Sequence, residues 1–319
     1  IGGVSSTNPG QTAGRRTCAQ IATAAVRIFD TDMRSRTWQA QFRRPIIARS
    51  HARAYACEPW EGTVSAADYA ILDPRFARLV NGNANVERLW TGCRWAEGPA
   101  WFAAGRYVVW SDIPNDRMLC WHAGRGLRVW RERVDFTNGH VLDRDGSLLH
   151  CSHGRRALLR TRFDAQGQPL GDEVVVDRYQ GRRLNSPNDV VVKRDGSIWF
   201  TDPPFGIQGW WEGEPAAQEL PQGVYRIDPL SGELAMVLDD LEGPNGLAFS
   251  PDETVLYVVE SRAKPHRLIW TYDVAGDRLH NKRLFTSALG PGAFDGIAVD
   301  RQGHVWCGFG SDGSPGADA

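Results

Sequence analysis

Along most of the chain, apolar and polar residues alternate in short runs separated by tight turns. The stretch NDVVVKRDGSIWFTD from Asn188 shows the unit most cleanly: a polar opener, a β-branched run, a turn at Gly196 and a second run ending on Asp202. Four other stretches share its layout: EGPAWFAAGRYVVWSD from Glu97, NGHVLDRDGSLLHCSHG from Asn138, NGLAFSPDETVLYVVES from Asn245 and DGIAVDRQGHVWCGFG from Asp295. In four of the five, a glycine stands eight positions after the opener (Gly105, Gly146, Gly196, Gly303), and the exception, Asp252-Glu253, is still turn-compatible. Glycine there takes the positive φ that a tight hairpin needs.

The openers lie 41, 50, 57 and 50 residues apart, and a second strand-rich half such as RMLCWHA, ALLRTRFD or RLIWTYDVAGD follows each hairpin. That is the period of a four-stranded propeller blade. A β-sandwich also alternates short strands with turns, but it has no need of the same polar residue type at every fourth strand. The pattern predicts an all-β propeller over residues 86–319, incomplete because the fifth unit breaks off in SDGSPGADA after its second strand. A short helical lead-in is expected over 65–85, with Ser65 as N-cap and a break at Pro74. Residues 1–64 are arginine-rich and acid-poor, show no strand alternation, and read as an extension outside the propeller with little fixed structure.

The repeat implies a site. In a propeller the first strand of each blade lines the central channel, so Glu97, Asn138, Asn188, Asn245 and Asp295 are expected to meet at one mouth of it. The second-strand ends Asp112, His153, Asp202 and Ser261 are expected nearby. Two carboxylates and several amides crowded together repel or protonate without a counter-charge. A hard divalent cation resolves this with oxygen ligands alone. Asn-Gly and Asp-Gly are also plain turn formers, but a turn is served equally well by Asn where the chain has Glu97 and Asp295. The six cysteines are scattered without a CxxC pair, which disfavours a zinc or disulfide framework and suits reduced thiols in a cytoplasmic protein. A formal net charge of −1 gives no pull toward nucleic acid or an anionic membrane, and no apolar run approaches a membrane span. A small-molecule substrate, with the protein as monomer or small homo-oligomer, fits better.

The motifs EGPAW at Glu97, NSPNDVVV around Asn188, GPNGLAFS around Asn245 and FDGIAVD around Asp295 resemble the gluconolactonase, senescence-marker-protein (regucalcin) and luciferin-regenerating-enzyme family of six-bladed propellers. Their wording is nearest to the bacterial gluconolactonases. The resemblance implies hydrolysis of a sugar lactone and one divalent metal, Ca²⁺ foremost, with Zn²⁺, Mn²⁺ or Mg²⁺ as substitutes. It implies that Glu97, Asn245 and Asp295 hold the metal, with Asn188 beside it or on substrate. Asp295 is the expected general base, while His153 and Asp202 are outer candidates for binding hydroxyls or moving a proton. Ser186 stands where the regucalcin branch has arginine, and the sixth blade is not accounted for. The alternatives are another metal-dependent propeller esterase, acting on aryl esters, organophosphates or other lactones, and a non-catalytic calcium-binding propeller. The insertion at 206–222, with Trp210 and Trp211, is placed over the mouth as a selector of substrate or a packed surface loop.

Overall fold

The computed structural model describes residues 71, 73–80, 88–288 and 292–310, together with the backbone of short strands at 25–29, 46–48, 63–64 and 86–87. Four antiparallel sheets each arise from one continuous stretch of four strands. Sheet I holds Ala96–Phe102, Tyr107–Asp112, Arg117–His122 and Gly126–Glu132; sheet II holds Thr137–Leu142, Leu148–Ser152, Ala157–Phe163 and Pro169–Val176. Sheet III holds Val190–Val192, Ile198–Asp202, Gly223–Ile227 and Leu234–Leu238; sheet IV holds Pro244–Phe249, Val255–Glu260, Leu268–Ala275 and Arg278–Ser287. The first strands of successive sheets touch in turn, which is the propeller arrangement.

The hairpins form for the reason the repeat suggested, with one local exchange. Gly146, Gly196 and Gly303 have φ of 83°, 90° and 88°, whereas in the first hairpin the positive φ falls on Arg106, at 53°, instead of Gly105. Within the turns Asp145 and Asp195 each accept the N–H two residues on, from Ser147 and Ser197, both at 2.9 Å. That side-chain bond closes the turn and fixes the register of the strands it joins.

Hydrophobic clusters lie between neighbouring sheets. Val109 and Met118 meet Leu148 between I and II; Leu149 and Leu158 meet Phe200 and Tyr225 between II and III. Trp199 and Val224 meet Leu256 and Tyr272 between III and IV, and Tyr257 and Ile269 meet Phe294 and Phe309 between IV and the last sheet. Among the described residues no such cluster joins the last sheet to sheet I.

Sheet V differs from the other four. Ala293–Val299 and Val305–Gly310 supply its inner pair, and its outer two strands are Ala25–Phe29 and Ile46–Ala48. Val26 pairs with Gly308 and Phe29 with Val305, so the exposed backbone edge of Val305–Gly310 is covered by a segment that the sequence reading left outside the propeller. Among the described residues the lead-in shows a 3₁₀ turn, Phe76–Arg78, started by Asp73 accepting the Arg75 N–H at 2.9 Å. Buried Phe76 packs with Leu79, Val80 and Trp306 of sheet V. The expected Ser65 cap and the tail at 311–319 lie outside the described residues. Among the described residues Cys93, Cys120 and Cys151 form no disulfide. Among the described residues no helix is long and apolar enough to cross a membrane.

Glycines one place after the openers let the inner strands close on one another. A Cβ at Gly98 would lie 2.2 Å from the Asn138 carbonyl oxygen, one at Gly139 2.5 Å from that of Asn188, and one at Gly246 2.5 Å from that of Asp295. At Gly296 a Cβ would meet nothing within 4 Å among the described residues. Trp101, on the facing strand of sheet I, is 52% exposed. Because the obstruction at Gly246 is backbone, Gly246→Ala is expected to destabilise the fold by about 1–3 kcal/mol. Urea unfolding measures this, and an unchanged midpoint would contradict the close approach.

Candidate active site

Glu97, Asn245 and Asp295 come together although nearly 200 residues separate the first from the last. Asn245, Glu97 and the backbone N–H of Gly296 lie close enough to the Asp295 carboxyl to help lower its pKa. Burial outweighs them and raises the Asp295 pKa. Glu97 is raised well above the usual carboxylate range, first by burial and then by the charge of Asp295, with Glu212 and Asp189 adding to it. Only the Trp95 indole, donating to Glu97 Oε1 at 2.7 Å, works the other way. The pair is therefore short of positive charge.

Asn188 opens the adjoining inner strand. Its side chain is buried, its N–H donates to the Thr201 carbonyl and its own carbonyl accepts from Gly139, both at 2.9 Å. The next residue, Asp189, was not expected here. Other openers are followed by glycine; Asp189 instead accepts the Val190 N–H at 2.9 Å and the Leu247 N–H at 3.3 Å, tying sheet III to sheet IV. Burial pushes its pKa to about 7, those two bonds oppose the shift, and Asp295 adds to it. Among the described residues no three acidic, histidine or cysteine side chains form a metal-binding group. The ring's donor set is two carboxylates with amides.

The second-strand ends serve the backbone. Asp112 Oδ1 accepts the Arg94 N–H at 2.8 Å, Asp202 Oδ2 the Asn185 N–H at 2.8 Å, and Glu260 Oε1 the Glu242 N–H at 2.7 Å. Each carboxylate thus pins the segment leading into its own inner strand. Asp202 is fully buried, which leaves it no observed role at the mouth, and its pKa is pushed to about 7 by burial against the pull of Asn185, Ser186 and Arg156. Ser186 holds the root of the insertion: its hydroxyl donates to the Pro203 carbonyl at 2.6 Å and accepts the Gly206 N–H at 2.9 Å.

His153 is buried beneath the insertion rather than open to the channel. Its Nδ1 lies 2.9 Å from the Glu212 carbonyl oxygen and its Nε2 3.3 Å from Asn138 Nδ2. Burial lowers its pKa to about 4, so the ring is neutral near pH 7. Gly206 and Gly213 permit the fold of the insertion: a Cβ on Gly206 would strike the His153 side chain at 2.5 Å, and one on Gly213 the Gly206 carbonyl at 2.0 Å. Glu212 is thereby brought within electrostatic reach of Asp295. Its pKa rises to about 7 through burial and that charge, against Arg262. Arg262 stacks on Phe205 at 4.4 Å and donates to Gln208 Oε1 at 2.7 Å, fastening the insertion from sheet IV's side. Trp210 and Trp211 are 77% and 48% exposed, so they are not a packed pair.

Comparison with known proteins agrees with this geometry. The model of the SMP-30/Gluconolactonase/LRE-like region matches residues 95–314. The chain is 31% identical to a gluconolactonase of Zymomonas mobilis over 258 residues, 73% of this chain and 69% of that protein. It is 27% identical to the pentonolactonase XacC of Haloferax volcanii, with 68% and 67% covered. A solved gluconolactonase structure from Xanthomonas campestris superposes with a TM-score of 0.61 at 45% identity, covering 67% of this chain and 69% of that one.

Proposed function

This chain belongs to the SMP-30/gluconolactonase/LRE-like family and is a lactone hydrolase, and we propose that it opens a sugar lactone of the glucono-1,5-lactone type with the help of one divalent cation. The observation that carries the reading is the meeting of Glu97 and Asp295 with Asn245 in one channel mouth. Two carboxylates whose pKa values both rise, with two further carboxylates in reach, suit a hard cation with oxygen ligands. Glu97, Asn245 and Asp295 would hold it, with Asn188 alongside; Ca²⁺ is the first choice, and Zn²⁺, Mn²⁺ and Mg²⁺ are the substitutes. A cation bound there supplies polarisation of the lactone carbonyl and a more acidic water.

The protein's own groups do the rest. Asp295 takes the proton from the attacking water, and Asn245 beside it helps to orient the carboxyl for that transfer. Asn188 positions the ring ester or a hydroxyl in reach of that water. Asp202 has no part in the chemistry in this reading, since its carboxylate is taken up by backbone. The reading also makes the propeller six-bladed: among the described residues no hydrophobic cluster joins sheets I and V, as a further blade between them requires.

The test is hydrolysis of glucono-1,5-lactone before and after chelation. Removing the cation is expected to slow turnover by about two orders of magnitude or more, with recovery on adding Ca²⁺. A rate indifferent to chelator would refute the cation's role. Turnover of aryl esters without any sugar lactone would move the assignment to another propeller esterase.

A further inference from the structure

We propose that Glu212, His153 and Asn138 form a relay that turns the Asn138 amide oxygen into the channel mouth as an acceptor for a ring hydroxyl of the substrate. Asn138 is then a specificity-determining residue and His153 its positioning residue. This rests on the lactone hydrolase reading and adds a subsite to it.

The argument follows the direction of each hydrogen bond. A backbone carbonyl only accepts, so the 2.9 Å contact between His153 Nδ1 and the Glu212 carbonyl places a proton on Nδ1. The neutral ring then carries a lone pair on Nε2. The group 3.3 Å away must be a donor, which fixes Asn138 with its NH₂ toward His153. Its oxygen points the other way. Asn138 is 5% exposed, and among the described residues its oxygen neither accepts a hydrogen bond nor counts with the sealed, unpartnered atoms.

Where Asn138 stands is set by backbone. The Asn138 carbonyl lies against Gly98, next to Glu97, and the following Gly139 N–H donates to the Asn188 carbonyl at 2.9 Å. Asn138 therefore stands between two residues of the ring. The relay also depends on the insertion: only a glycine at 206 fits over His153, and only the folded insertion offers the Glu212 carbonyl. An uncompensated acceptor at the edge of the site favours a ligand that brings hydroxyl donors and disfavours one that brings none.

The experiment compares kcat/KM for glucono-1,5-lactone with that for δ-valerolactone, the same ring without hydroxyls. Wild type, Asn138→Ala, His153→Leu and His153→Gln are measured with cation present. The ratio of the two values is expected to fall about tenfold in Asn138→Ala and His153→Leu, mostly through KM for the hydroxylated substrate. It is expected to recover in His153→Gln, whose amide donates to the Glu212 carbonyl and accepts from Asn138. Equal losses on both lactones would overturn the relay as a specificity device. Binding of 1,5-anhydro-D-glucitol by calorimetry gives an answer independent of turnover. Wild type should bind this cyclic polyol, and Asn138→Ala should bind it about tenfold more weakly. If wild type hydrolyses neither lactone, the hydrolase reading fails, and equal polyol binding by wild type and Asn138→Ala, or no binding by either, overturns the relay separately. Should His153→Leu fail to fold, Asn138→Ala and His153→Gln decide.

Discussion

Asp295→Asn is expected to lower kcat on glucono-1,5-lactone by about 10²–10⁴-fold while raising the melting temperature of the cation-free protein. The two effects share one cause. Burial and the neighbouring charge raise the pKa values of Asp295 and Glu97, so the paired carboxylates oppose folding when no cation is bound. The amide keeps an oxygen for the ring and a partner for Asn245, but it has no basic lone pair with which to take a proton from water. Steady-state rates with saturating Ca²⁺ and thermal melts in EDTA check the two halves. Full activity would sink the assigned role of Asp295, and a lower melting temperature would mean that the carboxylate stabilises the apo fold.

Asp202→Asn is expected to make a large change of another kind, confined to stability and dependent on pH. The buried Asp202 carboxyl titrates near pH 7 instead of its usual 3.8. A raised folded-state pKa gives stability that is fully present below about pH 4 and is lost as pH rises through about 7. Over that window the wild type should lose up to about 1.4 kcal/mol per pH unit from this one group, and the amide should lose none. The amide also brings N–H donors to a place where Asp202 Oδ1 and Asn185 Oδ1 are both buried without partners. Urea unfolding at pH 4.5, 6 and 8 should show the variant gaining on wild type as pH rises. A difference that stays constant with pH would rule out a protonated Asp202.

Much of this was legible because the repeat carries both the fold and the ring. Glu97, Asn245 and Asp295 share one position in the period, so a period read by eye brings them together, and the structure does the same. Asp189 departs from the period, with a carboxylate where the other openers have glycine, and that departure was the available signal. Glu212 had none: it reaches the ring from an insertion whose path depends on Gly206 and Gly213. Asp202 and His153 lie in the expected layer with their side chains against backbone, and position in a strand does not say whether a polar group bonds backbone or faces the channel. The strand at Ala25–Phe29 carries no legible signal because five residues are too few to show alternation, and its partner Val305–Gly310 lies far away in sequence.

The two carboxylates of the mouth stand on different sheets, which changes what a ligand there does mechanically. Among the described residues sheets II, III and IV each share hydrophobic clusters with two neighbours, whereas sheets I and V each share one. Glu97 belongs to one end and Asp295 to the other. A cation gripped by both would be a clasp between sheets I and V, and its binding free energy would be added to the stability of the folded array.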